Sequence, residues 1–161
     1  MFEGEDLDPK FMRRAIELSL GNVRSGRGGP FGAVVVNDAK IIGEGANQVL
    51  STNDPSAHAE VIAIRQACRK LNSFQLRGCD IYTSSEPCPM CMGLIYWARP
   101  DAVYYANTAE DAAHIGFDDA LIYREFTRRP NQRSIRMKQM MREEALAAFE
   151  AWGKKPNKIL Y

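Results

Sequence analysis

At 161 residues, 45% apolar and 25% charged, the chain has the size and composition of one globular domain, long enough to bury about two-thirds of its unfolded surface. A net charge of +1 supplies no global field for nucleic acid, and no apolar run approaches the ~18 residues of a membrane helix. The acidic start Met1-Phe2-Glu3-Gly4-Glu5-Asp6 lacks the basic-then-apolar pattern of a secretory signal, so a cytoplasmic protein with reduced thiols is expected, without a membrane or nucleic-acid partner.

In chain order, Asp8-Pro9 is an N-cap followed by proline at the first helical position, and Phe11, Ala15 and Leu18 share one face of the helix it opens. Phe31 to Val36 and Ile41-Ile42 flank Asn37-Asp38-Ala39-Lys40, the pattern of a hairpin. Asp54-Pro55 repeats the cap signal and predicts a second helix carrying Ala57, Val61, Ile64, Cys68 and Leu71 at helical spacing. Cys79 to Thr83 reads as a strand, Pro87 to Trp97 as a third helix, and Ala102 to Ala106 as another strand. Strand and helix alternate, which predicts crossovers, partly parallel pairing and helices on both faces of one sheet. From Arg124 to Arg142 seven cations face one acid, Glu125; a solvated or interface surface is the ordinary reading, phosphate contact the alternative. The C-terminal part holds the apolar helix pattern Ala145-Leu146-Ala147-Ala148-Phe149 with Trp152.

Cys88 and Cys91 lie three apart at a helix start, where free backbone amides and the helix dipole favour thiolates. Alone, this C-x-x-C suits a redox pair, a structural zinc or a catalytic zinc. His58 opens the preceding helix, and one crossover brings two such helix starts to the same end of a sheet. Three ligands leave the fourth position of a tetrahedral zinc for water, whose pKa the metal brings to about 7. Cys68, Cys79 and His114 are further potential ligands, but Cys68 falls on an apolar stripe and Cys79 starts a strand, so core filling accounts for both. Glu60, two residues from His58, points away from the ligand direction, yet a long side chain in the first turn can reach the water and move its protons.

His58-Ala59-Glu60 with Pro87-Cys88-Pro89-Met90-Cys91 carries the signature of the cytidine-deaminase-like zinc deaminases. Gly29-Pro30-Phe31-Gly32-Ala33, Asn53-Asp54-Pro55, Tyr96-Trp97-Ala98-Arg99-Pro100 and Gly116-Phe117-Asp118-Asp119 resemble the bacterial guanine deaminase branch of that superfamily. The resemblance implies a three-layer α/β/α sandwich with a mixed five-stranded sheet, forming a single deaminase domain over residues 1–161. It also implies one zinc per chain on His58, Cys88 and Cys91, and hydrolysis of guanine to xanthine and ammonia with Glu60 as proton carrier. Asn47 would hold the purine, Phe31 would stack on it, and Asp119 would shuttle protons. The branch further implies a homodimer whose segment from about 142 to 161 crosses to the partner, with Tyr161 closing the partner's site. Read from the residues alone, Asn47 also suits a turn, Asp119 a cap and Phe31 the core. Guanosine or another small aminated heterocycle is an alternative substrate; a tRNA adenosine deaminase and a non-catalytic zinc module are the other classes. The segment Gly116-Phe117-Asp118-Asp119 speaks against the former and Glu60 against the latter.

Overall fold

The computed structural model describes residues 8–160, which fall into two compact units divided after Asp119. The first unit opens with helix α1 (Pro9–Arg24), capped by the Asp8 carboxylate, which accepts the Lys10 N–H at 3.0 Å. Strands β1 (Gly32–Asn37) and β2 (Lys40–Ala46) form the expected hairpin, with Asp38 and Ala39 at positive φ in the turn. A short helix α2 (Val49–Thr52) precedes α3 (Ala59–Leu71). Strand β3 (Cys79–Ser85), helix α4 (Pro89–Ala98), strand β4 (Ala102–Asn107) and helix α5 (Ala109–His114) complete the unit.

The sheet order is β2-β1-β3-β4, with β1 antiparallel to both neighbours and β3 parallel to β4. Side chains alternate across it: Val34, Val36 and Tyr82 pack with Phe11 of α1, while Val35 and Ile81 pack with Ile64 of α3 and Ile95 of α4. Helices therefore cover both faces, as the alternation of elements predicted. Close approach is needed on the α3 side, where a Cβ on Gly45 would fall on the Ala59 carbonyl oxygen.

Three expectations are corrected. The five-stranded sheet has four strands among the described residues, because the chain beyond β4 turns helical at once through the Thr108–Asp111 capping box of α5. Helix α3 starts at Ala59 and not at Asp54-Pro55: the Asp54 carboxylate is engaged by the Ser56 N–H and hydroxyl at 2.8 and 2.7 Å, closing a turn. Helix α4 starts at Pro89 and not at Pro87, since Cys88 is extended and occupies the N-cap.

The second unit contains α6 (Ala120–Thr127), a 3₁₀ turn (Pro130–Gln132) and α7 (Arg142–Lys154). The lone acid of its basic stretch organises the connection: Glu125 accepts from the Ser134 N–H at 2.6 Å and pairs with Arg128 at 2.7 Å. No helix among the described residues is long and apolar enough to cross a membrane.

Candidate active site

The strand directions decide where a site can form. Because β1 runs against β2 and β3, the start of β1 and the ends of β2, β3 and β4 lie at one end of the sheet. Phe31 and Asn47 flank that end from the hairpin, and the loops leaving β2 and β3 return to it as the N-termini of α3 and α4.

His58 is the N-cap of α3 and Cys88 that of α4, both extended and neither bonding its own helix end through its side chain. The side chains are thus free to face one another. His58 Nδ1 lies 3.5 Å from Cys88 Sγ and 3.5 Å from Cys91 Sγ, and the three ligand atoms all fall within 4.8 Å of each other. Zinc bonds of about 2.3 Å to sulfur and 2.0 Å to nitrogen at a tetrahedral angle require an N···S edge of about 3.5 Å. The triad meets that edge, so the residues fit zinc.

The electrostatics of the triad match that role. The Cys91 thiol and the His58 ring beside Cys88 hold its thiol down to about 4. Cys91 is pushed far up by its hydrogen bond to the Cys88 sulfur and by burial, because a second anion there is opposed until a cation arrives. Its charged neighbour Cys88 raises His58.

Glu60 sits in the first turn of α3, only 5% exposed. One carboxylate oxygen accepts the Thr83 hydroxyl at 3.1 Å and the other the Cys91 thiol at 3.4 Å. It stands beside the ligands without joining their cluster, and burial pushes its carboxyl above the usual range. Asp119 is half-buried, raised by burial and by the charges of Cys88, Asp118 and Glu86. Phe31 is partly buried against the α3 side of the core, and its ring meets that of Phe117 edge to face at 4.9 Å. Asn47 is buried; its N–H donates to the Phe31 carbonyl at 3.1 Å and its Oδ1 accepts the Val49 N–H at 3.3 Å. Among the described residues nothing bonds its Nδ2. Tyr161 lies outside the described residues.

The other potential ligands stay out. Cys79 is buried in the core with Cys68 packed against that cluster, and the His114 ring bonds the Glu110 carbonyl of its own helix at 2.7 Å. Thr83 and Asn22 belong to the site's surroundings although no motif contains them, and Phe117, which lies in the segment Gly116-Phe117-Asp118-Asp119, joins them through its contact with Phe31. Asn22 leaves a trace in the sequence, as a polar residue continuing the face of α1 that carries Phe11, Ala15 and Ser19.

The model of the cytidine and deoxycytidylate deaminase zinc-binding region matches residues 5–107. Guanine deaminase of Bacillus subtilis (strain 168) is 52% identical over 151 residues, covering 94% of this chain and 97% of the relative. The X-ray structure of guanine deaminase from Bacillus subtilis superposes with a TM-score of 0.93 at 51% identity, covering 96% of this chain and 99% of that one. The tRNA-specific adenosine deaminase of Haemophilus influenzae is 37% identical, over 71% of this chain and 69% of its own. Since the span matched by the model exceeds half the chain and takes in Glu60 with all three ligands, the chain belongs to the cytidine and deoxycytidylate deaminase zinc-binding family.

Proposed function

We propose that the chain hydrolyses the exocyclic amine of a free purine, turning guanine and water into xanthine and ammonia. The observation that carries this reading is the buried Glu60 carboxylate beside a zinc-fitting triad, in a chain matching Bacillus subtilis guanine deaminase nearly end to end. Zinc on His58, Cys88 and Cys91 supplies Lewis acidity, lowering the pKa of a coordinated water to about 7. Glu60 takes one proton from the attacking water as its oxygen bonds C2, and gives it to the ring nitrogen beside C2. The C2–amine bond then breaks, and Asp119 passes the water's second proton to the departing nitrogen, which leaves as ammonia. Asn47 directs its Nδ2 at the purine and Phe31 supplies an aromatic wall, braced by Phe117. The test is ammonia release from guanine, guanosine, cytidine, adenine and a tRNA anticodon stem-loop. Guanine is expected to be the preferred substrate by at least ~10-fold, the lower end of what a single pocket contact discriminates; preference for the stem-loop would overturn the reading.

The same proposal includes a cytoplasmic homodimer in which the segment from about 142 to 161 crosses to the partner and Tyr161 closes its site. Four free cysteines suit a reducing compartment. Helix α7 leaves Phe149 and Trp152 exposed, surface that calls for a partner. Charge supports the exchange: residues 120–161 hold ten Lys and Arg against four acids, a net +6, which leaves −5 on residues 1–119. Like units repel and unlike units attract, and the basic stretch then serves this contact instead of phosphates. A chain lacking residues 158–161 is expected to bind one zinc yet turn over poorly, and to regain activity when mixed with a Glu60→Gln chain under exchange conditions. Full activity of the truncated chain as a monomer would remove the exchange.

A further inference from the structure

Asn22 is a buried amide far from the metal motifs in sequence, lying near the C-terminal end of α1 at 3% exposure. A polar side chain on a packed helix face is costly unless its groups are bonded. Here both amide protons are used: Nδ2 donates to the Gly29 carbonyl and to the Asn47 carbonyl, each at 2.8 Å. The two acceptors belong to different segments, the loop before β1 and the residue that follows β2. The Gly29 carbonyl also accepts the Phe31 N–H at 2.9 Å, and the Asn47 N–H donates to the Phe31 carbonyl at 3.1 Å. One amide therefore closes a ring of hydrogen bonds joining α1, the loop before β1 and the end of β2. Gly28 seals it, for a Cβ there would strike the Asn47 carbonyl and sit 3.0 Å from Asn22 Nδ2 and 3.1 Å from Asn47 Oδ1.

We propose that Asn22 is a positioning residue for purine binding, fixing through one amide the separation and orientation of the Asn47 side chain and the Phe31 ring. The inference rests on the reading of Asn47 and Phe31 as purine contacts. A donor to two carbonyls of different segments leaves neither segment free to move alone, and the bond of Asn47 Oδ1 to Val49 leaves Nδ2 as the half of that side chain available to a purine. Asn22 touches no reacting atom, so its loss weakens ground and transition states together and is read mainly in KM.

The experiment is steady-state guanine deamination by zinc-loaded Asn22→Ala, Asn47→Ala and the double variant, with zinc content measured for each. Asn22→Ala is expected to keep one zinc and raise KM about tenfold with kcat within about threefold. The double variant is expected to raise KM by less than the product of the two single effects, because part of what Asn22 does is exerted through the Asn47 side chain. Multiplying effects, or an unchanged KM in Asn22→Ala, would overturn the positioning role. An unchanged KM in Asn47→Ala would instead overturn the purine-contact reading beneath it. Gly28→Ala keeps the Asn22 amide and displaces the Asn47 carbonyl from the other side, so it supplies the result if Asn22→Ala does not fold. It too is expected to raise KM with zinc retained, and an unchanged KM would count against the proposal.

Discussion

Replacing Glu60 by glutamine is expected to cut kcat by about 10²–10⁴-fold, the range for loss of a positioned general acid and base, while zinc and fold are kept. Glutamine has the shape of glutamate and retains an oxygen to accept the Thr83 hydroxyl. Its amide then faces the Cys91 sulfur, which accepts a hydrogen bond when it is a metal-bound thiolate, so no buried polar group is orphaned. What disappears is the capacity to take a proton from water and return it to the ring. Zinc analysis, thermal melting and turnover on one sample separate these effects. Near-normal turnover by a zinc-loaded Glu60→Gln enzyme would overturn the assignment of Glu60.

Removing zinc is expected to abolish turnover and lower stability together. His58 caps α3, Cys88 caps α4 and Cys91 lies in the first turn of α4, so a bound zinc would add a direct tie between two helix starts. Without it, burial and the Cys88 thiolate push the Glu60 carboxyl up, and the His58 ring is the charge that opposes this. Free zinc at ~1,000 times its dissociation constant stabilises a protein by about 4 kcal/mol. For a chain of this size, that shifts the melting midpoint by roughly 8–16 °C. Melting of metal-free and reloaded protein checks the expectation, and coincident curves would contradict it.

Much of the site was legible in the sequence because its chemistry needs specific residue types at fixed spacing. His58, Cys88 and Cys91 converge as the two helix starts predicted, and Glu60 reaches inward without becoming a ligand. Cap residues were less reliable, since Asp54-Pro55 and Pro87 carry start signals that the chain uses in turns before α3 and α4. The fifth strand came from the resemblance and has no alternating pattern behind it; the residues after Asn107 instead form a capped helix. Asn22 was missed because its role depends on two carbonyls, one 7 and one 25 positions away, and no local pattern encodes such a meeting. The edge-to-face contact of Phe31 with Phe117 escaped notice for the same reason.

The central claim is that one metal at a three-ligand site, served by Glu60, sustains purine deamination. Titrating metal-free protein with zinc while following ammonia release from guanine tests it directly. Activity is predicted to rise in proportion to added zinc and to break sharply at one equivalent per chain, whereas turnover by the metal-free protein, or a break at two equivalents, would contradict the account.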